Sequence, residues 1–320
     1  MNNKPIPNYT SLAASLTYLF GPSVAVTKIE RLSGGDINKA YGLTLNTGDK
    51  IFMKANAKTN AAFFTAEAKG LNAIASTKTI ATPKILCTGT DDGEYEGYSF
   101  LLLEFIKRAA RRNDYWETLG RELAAMHKAP TSDFTSGAQS GDTARAINSQ
   151  PAIGQFGFLD DNFIGAGTQL NTSKNRWVEF FRDCRLVPQF KKADHYFDSN
   201  DRTKITSLLD NLDRFLIEPE QPSLLHGDLW SGNVMCGPDG KAMLIDPACY
   251  VGHREADLAM TELFGGFSES FYDAYREAWP LQAGYEERRD LYNLYHLVNH
   301  LNLFGPTYLE PVLSIVNYYS

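Results

Sequence analysis

The sequence predicts an α+β protein built as two lobes, a smaller one over residues 1–105 and a larger one over residues 106–320. A chain of 320 residues exceeds the usual size of one hydrophobic core, since domains average roughly 150 residues. The first third carries short apolar runs separated by turn residues, which is typical of an antiparallel sheet. Apolar residues then recur at helical spacing, interrupted by strand-like runs between residues 224 and 246. A cleft between the lobes is the expected ligand site.

The expected N-terminal lobe is a small, mainly antiparallel sheet with one helix packed on it. The turn Thr47-Gly48-Asp49 joins two of the strands as a hairpin. The predicted strands span residues 26–32, 40–46, 50–54, 85–88 and 99–105, and the predicted helices span 11–20 and 60–76.

The expected C-terminal lobe is mainly helical. Asp114 and Glu117 predict a capping box at the start of its first helix. The polar stretch 131–143 is expected to be a mobile loop. Further helices are predicted over residues 176–185, 202–216, 254–264, 271–279 and 287–303.

Composition narrows the class of protein. A net charge of −7 argues against sequence-independent binding to nucleic acid or to anionic membranes. Four scattered cysteines without a CxxC pair predict a reduced compartment. Because no signal peptide and no apolar run of about 18 residues is evident, we expect a soluble cytoplasmic protein. One basic segment, Lys107-Arg108 with Arg111-Arg112, is either a solvated approach to a helix or a contact for an anionic ligand.

The first candidate site is the loop Ser33-Gly34-Gly35-Asp36-Ile37-Asn38, between two predicted strands. Adjacent glycines allow backbone N–H groups to approach a polyphosphate closely. The same loop also fits an ordinary hairpin connection, so this motif alone is weak.

The second candidate is Lys54, at the end of a predicted strand. A strand-end lysine is often a solvated edge residue. However, Glu67 falls on the same helical face as Phe63 and Leu71, and a buried carboxylate needs a partner. The two residues are therefore predicted to form an ion pair that presents an ammonium group to phosphate oxygens.

The third and strongest candidate is the stretch HGDLWSGN at 226–233, followed by Asp246 at a strand end. It could be a surface turn between two strands. Its spacing, however, agrees with the HxDxxxxN catalytic-loop pattern and later metal-binding Asp of phosphoryl transfer. Asp228 is the candidate catalytic carboxylate, and Asn233 and Asp246 are the candidate Mg²⁺ ligands.

Together with Leu103-Glu104-Phe105 as a hinge between lobes, these motifs resemble the protein-kinase-like fold. The small-molecule branch is favoured because Asp246 is followed by Pro-Ala, not Phe-Gly. Residues 252–259 resemble a segment shared by aminoglycoside and choline kinases.

Within that branch, the chain is similar to the fructosamine kinase family, which includes ketosamine 3-kinases. The resemblance rests on SGGDINKAY at 33–41, on HGDLWSGN, and on stretches at 156–189, 246–267 and 291–305. One departure is Thr168, where a proline is expected before Gln169.

The resemblance implies an ATP- and Mg²⁺-dependent kinase for the 3-hydroxyl of a ketosamine or other glycated amine, with a role in deglycation. It assigns Asp228 to the acceptor hydroxyl and Asn233 and Asp246 to Mg²⁺. The implied nucleotide-binding residues are Gly34, Gly35, Asp36, Lys54 with Glu67, and the backbone from Glu104 to Ile106.

Substrate contacts are less determined. Trp230 is either an aromatic wall for a sugar or a core residue, and His296 and His300 either line the substrate pocket or are structural. A zinc site at the two histidines lacks a third ligand. Two other functions stay open: a kinase for an aminoglycoside, a choline-like alcohol or a free sugar, and a pseudokinase without turnover. The sequence does not indicate an oligomeric state.

Overall fold

The computed structural model describes residues 5–32, 38–93, 96–135 and 156–320. Its N-terminal part is a six-stranded sheet in the order β1-β5-β6-β4-β3-β2, antiparallel except for the pair β1 and β5. The strands are β1 Asn8–Tyr9, β2 Val26–Leu32, β3 Lys39–Leu45, β4 Lys50–Ala57, β5 Ile85–Asp91 and β6 Tyr98–Glu104.

Two helices cover this sheet, α1 (Leu12–Phe20) and α2 (Ala61–Thr77). Side chains alternate between the faces of a strand. Accordingly, Phe100 and Leu102 of β6 pack in one cluster with Leu16 of α1, whereas Leu101 and Leu103 pack with α2. The expectation of a single packed helix is therefore wrong, because α1 buries its own apolar residues on the opposite face.

The C-terminal part is mainly helical around one large core. The helices are α3 Tyr115–Lys128, α4 Trp177–Phe180, α5 Val187–Lys192, α6 Ser199–Asp210, α7 Glu255–Leu263, α8 Glu269–Ala278, α9 Tyr285–Phe304 and α10 Leu309–Tyr319. A π-helical segment, Phe181–Leu186, joins α4 to α5. Short strands form the pairs β7 Asn162–Ile164 with β8 Gly167–Gln169, β9 Ser223–Leu225 with β12 Tyr250–Gly252, and β10 Val234–Cys236 with β11 Ala242–Leu244.

The predicted helix 176–185 continues to Lys192. Pro188 does not end it: this proline lies within the helical run, directly after the π-helical segment Phe181–Leu186. β1, β7, β8, β12 and α10 were not predicted from the sequence.

The predicted capping box at Asp114 is wrong. Asp114 occupies the N-cap position of α3 without a side-chain capping bond, and its carboxylate instead lies 3.4 Å from Arg112. A reciprocal capping box occurs at α6, between Asp198 and Asp201. This is why that helix begins ahead of the predicted position at residue 202.

The loop predicted over 131–143 begins with a 3₁₀ turn at Ser132–Phe134, and its residues 136–143 lie outside the described ranges. The basic segment at 107–112 is exposed, and the Arg111 guanidinium stacks on the rings of Tyr115 and Trp116 at 4.7 and 5.0 Å. All four cysteines are free. Among the described residues, no helix combines the length and apolarity that crossing a membrane requires.

Candidate active site

The loop from His226 to Asn233 joins β9 to β10 and closes with a 3₁₀ turn at Ser231–Asn233. Gly227 has a positive φ of 80°, and a Cβ at this position would lie 2.1 Å from the carbonyl oxygen of Ala248. Only glycine fits this approach without a shift of the backbone. The loop is therefore pressed directly against the segment that follows Asp246.

Asp257, near the start of α7, holds the loop in place through its carboxylate. Its carboxylate accepts hydrogen bonds from the backbone N–H groups of His226 at 2.7 Å and Gly227 at 2.9 Å. It also lies 3.2 Å from Nε2 of His127. Burial works against ionisation of Asp257, but the bonds from His127 and Gly227 outweigh it and hold its pKa below the usual value.

The sequence analysis gave Asp257 no role. The available signal was a carboxylate within residues 256–260 of α7, whose other members are apolar, because a buried charge needs partners. Its partners lie 30 and 31 residues away in the chain, so spacing could not identify them.

His226 supports the loop from the other side. Its Nε2 lies 2.9 Å from the carbonyl oxygen of Ile245, and its Nδ1 accepts from the N–H of Asp228 at 3.3 Å. Burial lowers the pKa of His226, so the ring is neutral and carries its proton on Nε2. The imidazole thus connects the loop to the strand end that carries Asp246.

Asp228 lies within this frame with a partly exposed side chain. The Asn233 amide nitrogen donates to the Asp228 backbone oxygen at 2.8 Å and to Oδ2 at 3.0 Å. Burial raises the pKa of Asp228 to about 7, the Asn233 bond opposes the rise, and Asp246 and Asp257 add to it. A carboxylate with a pKa near neutrality is suited to accept a proton from a hydroxyl.

The hairpin of β10 and β11 brings Asn233 and Asp246, the two candidate Mg²⁺ ligands, close together. The N–H of Ile245 donates to the Asn233 carbonyl oxygen at 3.0 Å, and Val234 pairs with Leu244. Because the Asn233 amide nitrogen faces Asp228, its amide oxygen is left for another partner. The Asp246 side chain is 40% exposed. An amide oxygen beside a half-exposed carboxylate fits the preference of Mg²⁺ for oxygen ligands.

Lys54 and Glu67 form the predicted ion pair, with Nζ 2.8 Å from Oε1. The solvated-edge alternative is wrong, because β4 lies between β3 and β6 and Lys54 is buried. The Lys54 ammonium also pairs with Asp246. Burial alone would lower the pKa of Lys54, but Asp246 and Glu67 outweigh burial and raise it, so the side chain stays charged.

Helix α2, which carries Glu67, packs directly on the segment that follows Asp246. A Cβ added at Gly70 would lie 3.0 Å from Pro247 and 3.4 Å from Cys249. The Cys249 thiol lies 3.5 Å from the Gly70 carbonyl oxygen. The Lys54–Glu67 pair and Asp246 are thus held in one packed unit.

The other predicted nucleotide residues are placed less completely. Gly34, Gly35 and Asp36 lie outside the described residues. The strand residues that flank this segment, Leu32 and Ala40, pair with each other. The Glu104 N–H already donates to the Lys84 carbonyl oxygen at 2.9 Å. The backbone at Phe105 and Ile106, beyond the end of β6, is therefore the part of this segment that is available to contact the adenine base of a nucleotide.

Trp230 is 40% exposed, and its ring covers Gly232, where an added Cβ would lie 2.2 Å from the ring. The core-packing alternative is therefore wrong. His296 is buried, and burial with neighbouring His300 lowers its pKa to about 3. Nδ1 of His300 lies 2.7 Å from the His296 carbonyl oxygen. Across the described part of the chain, no three His, Cys, Asp or Glu side chains are grouped as metal ligands.

A buried polar network, which the sequence analysis did not predict, lies between β8 and α9. Gln169 accepts from the Tyr295 hydroxyl at 2.7 Å and donates to the Ala248 carbonyl oxygen at 2.9 Å. Arg185 donates to the Leu170 carbonyl oxygen at 2.5 Å and stacks on the Tyr250 ring at 3.9 Å. The network links the segment after Asp246 to the π-helical segment and to α9.

A family model described as fructosamine kinase matches residues 8–319. The chain belongs to the fructosamine kinase family. It is 39% identical over 330 aligned positions to the chloroplastic protein-ribulosamine 3-kinase of Arabidopsis thaliana, covering 99% of this chain and 92% of the relative.

Solved structures agree with this assignment. A protein of Haemophilus somnus, provisionally named fructosamine-3-kinase, superposes with a TM-score of 0.78 at 27% identity, covering 97% of this chain and 96% of the other. A macrolide 2'-phosphotransferase type I superposes with a TM-score of 0.55 at 13% identity, over 97% of this chain and 95% of the other, and shows the shared fold alone.

Membership in the fructosamine kinase family makes the chain a phosphotransferase with the protein-kinase-like fold. The resemblance found in the sequence is confirmed. The kinase family also implies use of ATP.

Proposed function

We propose that this fructosamine kinase family member transfers the γ-phosphoryl group of ATP, with Mg²⁺, to the 3-hydroxyl of a ketosamine of the fructosamine or ribulosamine type. The observation that carries the proposal is the joint placement of Asp228, Asn233, Asp246 and the Lys54–Glu67 pair. The name of the Arabidopsis relative, a ribulosamine 3-kinase, supports the acceptor class.

Lys54 would hold the α- and β-phosphates of the nucleotide. In the structure its ammonium has two carboxylate partners, Glu67 and Asp246. On nucleotide binding, Glu67 would keep Lys54 in place while phosphate oxygens replace Asp246 as the second partner. Gly34, Gly35 and Asp36 would cover the phosphates, and the backbone through Ile106 would contact the adenine.

Asn233 and Asp246 would hold Mg²⁺ with the amide oxygen and the half-exposed carboxylate. Bound there, the ion would neutralise charge on the phosphates. Asn233 would have a second role. Its amide nitrogen donates to Asp228 and so sets the position of the carboxylate that would contact the acceptor hydroxyl.

Asp228 would orient the acceptor hydroxyl and accept its proton as the oxygen attacks phosphorus. Most of the rate gain would come from positioning and charge neutralisation. A phosphate on C3 is a leaving group beside the C2 carbonyl. Its elimination as inorganic phosphate, followed by hydrolysis, would release the amine, which amounts to deglycation.

A coupled ADP-release assay tests the acceptor class. The panel contains fructosyl-lysine, ribulosyl-lysine, erythrulosyl-lysine, aminoglycosides, choline and free sugars. We expect turnover with the ketosamines and little with the rest. Turnover confined to aminoglycosides, choline or free sugars would refute the ketosamine assignment, and nucleotide binding without turnover on the whole panel would support a pseudokinase.

The predicted lobe boundary near residue 105 and the cytoplasmic location belong to the same proposal. The Arabidopsis relative is named chloroplastic, so location is best tested by tagging the full chain in its own cell. The absence of nucleic-acid partners stays a prediction from the net charge of −7.

A further inference from the structure

Four aromatic side chains form a cluster between the end of α7 and the end of α9. The His300 ring lies 5.1 Å from Phe264, 5.3 Å from Phe304 and 5.1 Å from Tyr308, measured between ring centroids. Phe264 is 43% exposed and Phe304 is 53% exposed. We call Phe264, His300, Phe304 and Tyr308 the rim cluster.

The rim cluster borders the catalytic loop. Phe264 precedes Gly265 and Gly266, and a Cβ added at Gly266 would lie 2.6 Å from the side chain of Ser231. Ser231 follows Trp230, whose ring is also partly exposed. Because Trp230 is two residues from Asp228, their Cα atoms lie at most ~7 Å apart. Exposed aromatic side chains are therefore present on the catalytic loop, at Trp230, and at Phe264, which precedes the segment in contact with that loop.

A ketosamine carries a secondary amine that is protonated near neutral pH. Four bonds separate this nitrogen from the attacking 3-oxygen, roughly 5 Å when extended. With that oxygen at Asp228, the ammonium group would lie beside the catalytic loop, where Trp230 is exposed and where the segment that follows Phe264 packs on Ser231. Aromatic faces attract cations within about 6 Å of the ring centroid.

The His300 imidazole in the rim cluster does not repel a cation. Burial lowers the pKa of His300, and the bond to the His296 carbonyl oxygen opposes the shift without reversing it. The ring is therefore neutral near pH 7, so the cluster presents aromatic faces without a competing positive charge.

We propose that the rim cluster, together with Trp230, binds the protonated amine of the acceptor and so distinguishes a ketosamine from an uncharged sugar. This inference rests on the proposed function and assigns the part of the substrate that lies beyond the reacting hydroxyl.

The test compares two acceptors that differ in one atom. The first is 1-butylamino-1-deoxyfructose, which is cationic, and the second is 1-O-butylfructose, in which an ether oxygen replaces the nitrogen. KM and kcat are measured for the full chain and for the variants Phe264→Leu and Phe304→Leu. Leucine keeps the apolar surface and removes the π-face.

We expect each variant to raise KM for the amine by about 2- to 30-fold, with kcat nearly unchanged. KM for the ether should move much less. Phe304→Tyr, which keeps an aromatic face, should restore the low KM. Tyr18→Leu is the matched control, because Tyr18 is an aromatic residue that is 74% exposed on α1, in the other lobe.

Equal changes in KM for the amine and the ether would overturn the inference, since they would indicate apolar contact and not recognition of charge. An unchanged KM in both leucine variants would overturn it as well. In either case wild-type turnover of the amine would leave the proposed function standing, whereas absent wild-type turnover of both acceptors would refute the two together.

Discussion

At the scale of single residues, the environment of Asp228 determines its chemistry. Burial raises the pKa of Asp228 to about 7, while the Asn233 amide favours the charged form. The carboxylate therefore changes charge within the physiological range. The same side chain in open solvent would be ionised throughout it and would be a weaker base.

Asp228→Asn should lower kcat by roughly 10²- to 10⁴-fold, because the amide cannot accept the proton of the hydroxyl. ATP affinity should change little, since the Lys54–Glu67 pair and Asp246 remain. Steady-state kinetics and a nucleotide titration measure the two quantities. Asp213→Asn, an exposed aspartate of the C-terminal part, is the control, and retention of turnover in Asp228→Asn would exclude this carboxylate as the catalytic one.

The raised pKa of Asp228 also predicts a pH profile. Below the folded-state pKa of about 7 the carboxyl is protonated and cannot act as a base. The rate constant kcat/KM should therefore rise with pH and level off above about 7. A profile that is flat from pH 5 to 8 would contradict this role.

At the scale of elements, the catalytic loop depends on contacts from three separate segments. Gly227 allows the loop to approach Ala248. The carboxylate of Asp257 on α7 accepts hydrogen bonds from two N–H groups of the loop. The hairpin of β10 and β11 places Asp246 beside Asn233. The loop has little regular structure of its own. Its shape is therefore a property of its surroundings.

Gly227→Ala should destabilise the protein by about 3 kcal/mol or more, because the new Cβ adds a clash to the cost of a positive φ. Gly48→Ala is the matched control: Gly48 has a φ of 90°, but nothing lies within 4 Å of the added Cβ. It should cost only about 1–2 kcal/mol and leave kcat unchanged. Urea unfolding and kcat measured side by side would show whether the difference is present.

At the scale of the whole molecule, the proposed nucleotide site combines both parts of the chain. Lys54 and Glu67 belong to the sheet and to α2, whereas Asp246 follows β11, and the Lys54 ammonium pairs with both carboxylates. A nucleotide bound at the proposed site would therefore contact groups that are far apart in sequence.

Asp246→Ala should remove most of the thermal stabilisation that Mg²⁺·ATP gives to the wild type. A ligand present at 100 times its Kd stabilises the folded state by about 2.7 kcal/mol. In the variant, the shift in Tm with Mg²⁺·ATP should fall to that seen with ATP and chelator. Asp239→Ala, an exposed aspartate in the turn between β10 and β11, controls for loss of a nearby carboxylate. An undiminished Mg²⁺-dependent shift in Asp246→Ala would contradict the proposed metal ligand.

Features with a local signal could be predicted from the sequence. Short apolar runs separated by turn residues located the strands β2 to β6, and a carboxylate on an apolar face identified Glu67 as the partner of Lys54. Features created by distant contacts could not. The two residues of β1 form a strand only because they pair with β5, and Asp257 can hold the loop only because the fold places its carboxylate beside the N–H groups of His226 and Gly227.

The close packing at Gly70 affects how the Lys54–Glu67 pair is positioned. With no side chain at that position, α2 rests against Pro247 and Cys249, and Glu67 lies on the same helix, one turn earlier. The packing of α2 on this segment therefore helps to hold Glu67 in position to pair with Lys54. We expect the Lys54–Glu67 pair to be in place in the native state before nucleotide binds, so that nucleotide meets an ammonium group that is already positioned.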